Sequence, residues 1–323
     1  MNSEIKASSN NQRKIFSILG PTCTGKTKLS LDLAKKLNAE IINVDSLLFY
    51  QELNVGTCKP SLNEIKQVPH HLIDINSFKQ PLTAADYVKL AVPLINQLLE
   101  NHKKILIVGG SGFYVQALLK GMYSGTSTPP HILLKSEKLF KDFGIKPFMD
   151  ELKIVDPIIL QQIHPNDYYR LRRAIEYFWS EGKPFSAAKN NHLKNLTNIE
   201  KFNWNYQSCF LNLTPDEHFP HIQKRTEQML SGGLIEEVQN ILKTITTSDD
   251  FRPLASIGYA ETIKFLKGEI KTLTDLKEEI NISTRQLAKA QRTWFKYKLQ
   301  PKLFHPLNEE DDIINLGLNF FKE

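Results

Sequence analysis

Cysteine is scarce in this chain. Three thiols, Cys23, Cys58 and Cys209, are scattered over 323 residues, a spacing that fits reduced, unpaired side chains and excludes a disulfide framework or a zinc site. Long apolar runs are missing too. None approaches the roughly 20 residues that a membrane-spanning helix needs. Residues 1–12 are polar (Asn2, Ser3, Ser8, Ser9, Asn10, Asn11) and lack the apolar stretch of a signal peptide. A loose tail over 1–12 and a cytoplasmic protein are therefore expected. No internal repeat is present. What remains is an ordinary globular composition, 41% hydrophobic and 24% charged, long enough for one large domain or two smaller ones. The formal net charge of +6 leans towards a polyanionic partner without requiring one.

Against that background one stretch is dense with chemistry. Gly20-Pro21-Thr22-Cys23-Thr24-Gly25-Lys26-Thr27 has the phosphate-loop pattern of two spaced glycines followed by Lys and Thr. The apolar Lys14–Leu19 before it reads as a buried strand. Lys26 to Leu37 after it puts Leu29, Leu33, Ala34 and Leu37 on one helical face. In a strand–loop–helix context the backbone N–H groups of Gly20, Thr22, Cys23, Thr24 and Gly25 and the helix start can cradle phosphate. Lys26 would neutralise its charge, and the Thr27 hydroxyl would ligate Mg²⁺. Cys23 reads as a small filler.

The second apolar run, Glu40–Val44, ends on Asp45-Ser46. Ligands of open α/β sheets sit beyond the carboxyl ends of strands, so Asp45 can reach what the phosphate loop holds. Three roles compete for it: metal positioning, general base, or helix N-cap. Tyr50–Pro60 reads as a loop, and the adjacent His70 and His71 face opposite ways along a strand, which does not suit a shared metal. Thr83 to Leu99 reads as an amphipathic helix. A third strand, Lys104–Val108, runs into Gly109-Gly110-Ser111-Gly112, a second glycine turn whose Ser111 hydroxyl faces the same region.

From Gly121 the character changes. Lys135 to Trp179 reads as helices with no strand between them. His164–Asp167 is a turn and cap leading into Tyr168-Tyr169-Arg170-Leu171-Arg172-Arg173, where arginines and tyrosines suit phosphate contact and base stacking, although a solvated helix face has the same composition. Residues 183–201 read as a polar, mobile loop. A strand resumes at Cys209–Leu213, then a helix with His221, Lys224 and Arg225. The helix Ile280–Tyr297 aligns Arg285, Lys289, Arg292 and Lys296 in a basic stripe, with Trp294 and Phe295 beside it as core.

Taken in order, Gly20–Thr27, Asp45-Ser46, Val55-Gly56-Thr57 with Lys59-Pro60, His70–Asp74, Val108–Tyr114, His164–Asp167 and Arg285–Lys289 resemble the tRNA dimethylallyltransferases (tRNA isopentenyltransferases) of bacterial type, over residues 14 to about 300. The resemblance implies an α/β fold: a P-loop NTPase-like core with a central parallel sheet flanked by helices (13–121 and 205–310), carrying an inserted all-helical tRNA-binding domain (122–204). It implies Mg-dependent transfer of a dimethylallyl group from dimethylallyl diphosphate to N6 of adenosine-37, beside the anticodon. Asp45 would be the base, with Ser111, where the family usually has Thr, and Arg225 also catalytic. The anticodon stem-loop would be contacted by Asp45, Ser46, Leu47, Leu48, Ser111, Tyr169, Arg170, Leu171, Arg172, Arg173, Arg285 and Lys289. A monomer with no membrane partner is expected. Departures are Ala290, at a position often basic, and a short 122–150 segment. The alternatives are an adenylate isopentenyltransferase on free nucleotides and a P-loop small-molecule kinase binding ATP. The Gly-Gly-Ser-Gly end of the third strand, with no acidic metal ligand, speaks against the kinase. An RNA-binding protein with a vestigial pocket is disfavoured by intact Lys26, Thr27 and Asp45.

Overall fold

Strands β1 (Lys14–Leu19), β2 (Ala39–Asn43), β3 (His70–His71), β4 (Lys104–Gly109), β5 (Asn205–Leu211) and β6 (Lys302–Phe304) form one sheet in the order β3-β2-β4-β1-β5-β6. Every pairing in it is parallel. Parallel strands need crossovers that cover both faces, so their sequences run apolar without a polar side. β1 is buried along its whole length. Its alternate residues divide between two cores: Ile15 and Leu19 belong to one, Phe16 and Ile18 to the other. This fold comes from a computed structural model that describes residues 13–122, 128–192, 195–246 and 251–322; the expected tail over 1–12 lies outside them.

The crossovers of the first half are α1 (Lys26–Leu37), α2 (Leu62–Gln67), α3 (Ala84–Glu100) and α4 (Gly112–Lys120). α5 (Pro130–Phe143), α6 (Lys146–Val155), α7 (Pro157–Gln162), α8 (Tyr168–Glu181) and α9 (Phe185–His192) then make a helical unit. The chain rejoins the sheet through α10 (Asn198–Lys201), α11 (Pro215–Ser231), α12 (Leu234–Leu242), α13 (Tyr259–Leu266), α14 (Leu273–Lys298) and α15 (Glu310–Lys322). α3, α11 and α14 open on capping boxes, Thr83/Asp86, Thr214/Glu217 and Thr272/Asp275, which satisfy N–H groups that a helix start leaves unpaired. The Thr272 box begins α14 two turns before the expected Ile280.

The chain divides into Gly121–Thr197 and the rest, and this moves the expected boundaries. Residues 198–204 sit with the sheet rather than with the insertion. Asn198 Nδ2 donates to the Leu118 carbonyl at 2.8 Å, and Trp204, buried, donates to Asn96 Oδ1 at 3.0 Å. The sheet unit also continues past residue 310. Gly317 of α15 packs so closely that an added Cβ would lie 2.7 Å from Leu33. Strand β6 lies outside the elements expected from the sequence, and the acidic Glu310, Asp311 and Asp312 form the first turn of α15.

The helical unit has its own core of Phe148, Leu152, Ile159, Leu171, Ala174 and Ile175. Residues 183–201, expected as a mobile loop, carry α9 and α10 instead. Buried Asp156 explains the first of these: Oδ1 accepts from Ile159 N at 3.1 Å, capping α7, while Oδ2 accepts from Ser186 N at 2.8 Å and pins the start of α9.

Candidate active site at the strand ends

The phosphate loop follows β1 directly. Gly20 is pressed against the neighbouring strand, where a Cβ would meet the Leu211 carbonyl oxygen at 2.8 Å. Gly25 turns the chain into α1 at φ 83°, a left-handed value that costs glycine little. No side chain caps α1 and its first turn holds no acidic residue, so the free N–H groups and the positive end of the helix are left for an anion. Lys26 Nζ donates to the Pro21 carbonyl at 2.6 Å, which also accepts from Thr24 Oγ1 at 2.9 Å. Burial pushes the Lys26 amine down to about 8, opposed by the negative charges of Asp45 and Cys23 and assisted by Arg225. A lysine with a weakened hold on its proton gains most from a polyanion.

Asp45 stands just past β2, in a turn built by Asn43. The Asn43 side chain accepts from Asp45 N at 2.8 Å and donates to the carbonyls of Asp45 (3.0 Å) and Leu72 (2.9 Å). Tyr87 OH holds the Asn43 carbonyl from behind at 3.0 Å. Asp45 Oδ1 accepts from Leu47 N at 3.2 Å, the cap-like bond that competed with catalysis in the sequence, though a turn and no helix follows. Among the described residues nothing donates to Oδ2. Ser111 joins this turn: its Oγ accepts from Ser46 N at 3.0 Å and donates to Ser46 Oγ at 3.3 Å. Leu47 packs against the sheet core, and Leu48 is half-buried.

Arg225, on α11, donates to the Thr57 carbonyl at 3.0 Å. Burial works against its charge, but Cys58, Cys23 and Asp45 outweigh it and raise the guanidinium's proton affinity. Lys26, Asp45 and Arg225 thus share one electrostatic environment. The loop carrying Thr57 is held by a group that sequence reasoning missed. The Glu237 carboxylate accepts from Asn54 N (3.0 Å), Val55 N (2.8 Å), Gly56 N (3.3 Å) and Tyr259 OH (2.6 Å). Gly56 is the glycine of that loop because a Cβ would lie 2.5 Å from the Tyr259 ring.

Two more residues were not read as part of the site. Gln291 and His218 both reach Thr22, engaging its N–H and its carbonyl. Of the expected diphosphate contacts, the Thr22 backbone N–H is therefore already committed within the protein. Arg292, read as part of a basic stripe, is half-buried and donates to His218 Nδ1 at 3.0 Å. Arg285 and Lys289 are exposed on α14; Arg285 lies 4.8 Å over the Phe219 ring and 3.4 Å from Glu278.

In the helical unit the basic run is less free than its sequence suggested. Arg170 pairs with Asp167, the N-cap of α8. Arg172 donates to Ser136 Oγ at 3.2 Å and stacks 4.8 Å over Phe140. Arg173 donates to buried Glu176 at 2.7 Å. Leu171, counted among the tRNA contacts, is fully buried in the unit's core, so its side chain packs and meets no partner. Tyr169 is 55% exposed.

A family model described as IPP transferase matches residues 48–298. It starts after the phosphate loop and Asp45, which stand on their own geometry. A tRNA dimethylallyltransferase of Synechocystis is 38% identical over 280 residues, 86% of this chain and 86% of the relative. One of Dictyoglomus turgidum is 37% identical over 285 residues, 86% of this chain and 83% of the relative. The solved tRNA isopentenylpyrophosphate transferase of Bacillus halodurans superposes with a TM-score of 0.68 at 30% identity, covering 96% of this chain and 97% of its own. A eukaryotic dimethylallyltransferase described as acting on tRNA shares the fold, with a TM-score of 0.81 at 24% identity, covering 96% of this chain and 80% of its own.

Proposed function

Because this chain belongs to the IPP transferase family, we propose that it transfers a dimethylallyl group from dimethylallyl diphosphate to N6 of adenosine-37 in tRNA. The observation that carries the reading is the convergence of Lys26, Asp45, Ser111 and Arg225 at the carboxyl ends of β1, β2 and β4. The open N-terminus of α1 and Lys26 bind the diphosphate, and Arg225 faces the same charge. N6 attacks the first carbon of the dimethylallyl group, the carbon–oxygen bond breaks, and the diphosphate leaves with the electron pair. Asp45 Oδ2 takes the N6 proton. Charge grows on the diphosphate as the bond breaks, and donors preorganised there lower the barrier.

The donor set also suits magnesium. The exposed Thr27 hydroxyl heads α1, and among the described residues no cluster of three His, Cys, Asp or Glu forms an all-protein cage. Mg²⁺ commonly keeps water and phosphate ligands, so one hydroxyl suffices. Thr27 would hold the ion, which when bound supplies further neutralisation of the diphosphate. No described helix is long and apolar enough to cross a membrane. The proposed active unit is a monomer.

The acceptor adenosine must leave the anticodon stack to reach a pocket. The test supplies Mg²⁺ and labelled dimethylallyl diphosphate with unmodified tRNA, and separately with AMP and ATP, followed by nucleoside mass analysis. Label on the tRNA adenosine alone is the expected result. Label on AMP or ATP would move the chain to free nucleotides. No transfer, with ATP consumed on addition of small hydroxyl compounds, would make it a kinase.

A further inference from the structure

One residue of the phosphate loop, Thr22, is gripped at both of its backbone polar groups by residues far away in sequence. Thr22 N donates to Gln291 Oε1 at 3.0 Å, and the Thr22 carbonyl accepts from His218 Nε2 at 2.7 Å. Neither grip is isolated. The other end of the Gln291 amide, Nε2, donates to the Gly110 carbonyl at 3.0 Å. The other ring nitrogen of His218, Nδ1, accepts from Arg292 NH1 at 3.0 Å. A guanidinium can only donate and a carbonyl can only accept, so both bonds are satisfied by one neutral tautomer, with the proton on Nε2. Burial, opposed by the raising effect of the Thr22 bond and assisted by the cations Arg292 and Lys26, holds the imidazole at about 4. The ring is therefore neutral at ordinary pH.

Gln291 spans two glycine turns. One is the phosphate loop; the other carries Ser111, which is bonded to the Asp45-Ser46 turn. Gly110 has no room for a side chain, since a Cβ there would lie 2.8 Å from both Gln291 Nε2 and the Gly20 carbonyl oxygen. The close approach of the two turns thus depends on a glycine on one side and an amide in the gap.

We propose that Gln291 is a positioning residue that sets the register between the diphosphate-holding loop and the turn beside Asp45, with His218, backed by Arg292, fixing the carbonyl of the same residue, Thr22. It rests on the prenyl-transfer reading, in which leaving group and attacking nitrogen must be held at reacting distance. Small misplacements of reacting groups cost on the order of a hundredfold in rate. Loss of a hydrogen bond that leaves its partners unsatisfied costs about five- to tenfold in affinity.

The test uses the full chain with Gln291→Ala, His218→Ala, His218→Gln and Lys26→Ala. It measures affinity for inorganic diphosphate, the single-turnover transfer rate at saturating substrates, tRNA affinity and the thermal midpoint without ligand. Gln291→Ala is expected to lower the transfer rate by about a hundredfold and diphosphate affinity by about five- to tenfold, with tRNA affinity unchanged. His218→Gln, which keeps an N–H donor near Nε2, should recover most of what His218→Ala loses. A folded Gln291→Ala with wild-type rate and diphosphate affinity overturns the proposal, as does a His218→Gln no better than His218→Ala. If Gln291→Ala does not fold, Gln291→Glu decides. It keeps an acceptor for Thr22 N and loses the donor to Gly110, so a wild-type rate in that variant overturns the proposal. Lys26→Ala separates the two layers: unchanged diphosphate binding there sinks the phosphate-loop reading itself. Weakened binding in Lys26→Ala beside a wild-type Gln291→Ala sinks only the positioning role.

Discussion

The sheet unit and the helical unit spend their cations in opposite ways. At the strand ends Lys26 donates to the Pro21 carbonyl and Arg225 to the Thr57 carbonyl, and among the described residues neither forms an ion pair. Both can turn to a diphosphate without stranding a charged partner. In the helical unit Arg173 is tied to buried Glu176, and Arg172 is packed between Ser136 and Phe140. Moving either would expose a buried carboxylate or an aromatic face. Three arginines in a row therefore do not amount to three phosphate contacts. Arg170, with its side chain 71% exposed and paired with Asp167, is the one positioned to exchange that partner cheaply.

That contrast can be broken at several points. Asp45→Ala should reduce kcat by roughly 10²- to 10⁴-fold, the range for a lost general base, far more than it lowers tRNA affinity; an equal loss in both would reassign Asp45 to binding. Lys26→Ala should weaken dimethylallyl diphosphate binding by about tenfold to a hundredfold, as loss of a charged hydrogen bond does, readable by equilibrium titration. Glu176→Ala should destabilise the helical unit by about 2 kcal/mol, because Arg173 and Ser136 lose a buried acceptor while solvent reaches part of Arg173. Proteolysis or amide exchange confined to 128–192 would report it.

Smaller effects sharpen the picture. Arg170→Ala should lower the slope of tRNA affinity against salt by about one and barely change stability. Arg172→Ala should do the reverse, leaving the slope intact and lowering the thermal midpoint. Last comes pH. Protonation of His218 is disfavoured in the folded chain, from an ordinary 6.5 to about 4. The unfolded chain then binds more protons, so stability falls as pH drops through 6.5 and levels off below about 4; above 6.5 the residue contributes nothing. His218→Gln should remove that component of a thermal-midpoint profile taken from pH 7 to 4.

Much of the site was legible because its chemistry is carried by short, local patterns. Gly20–Thr27 must be a loop between strand and helix, and Asp45 and Ser111 follow apolar runs that end at the same edge of a parallel sheet. The ion pairs Asp167–Arg170 and Arg173–Glu176 were legible too, being three residues apart on one helix, yet the charge run drew attention away from its acids. Gln291, His218 and Glu237 were not legible. Each acts through backbone atoms brought close by folding, across 269, 196 and 183 residues, and no periodicity records such a contact. Strand β6, three residues long, was lost for a similar reason: its pairing is fixed by β5 rather than by its own pattern.

The most direct measurement crosses the two regions. Single-turnover transfer rates at saturating tRNA and dimethylallyl diphosphate, and tRNA dissociation constants, would be taken for Asp45→Ala and Arg170→Ala together. The account predicts that Asp45→Ala slows transfer far more than it weakens tRNA binding, and that Arg170→Ala weakens tRNA binding without slowing transfer once bound. A slowed transfer step in Arg170→Ala, or an Asp45→Ala that transfers at the wild-type rate, would contradict it.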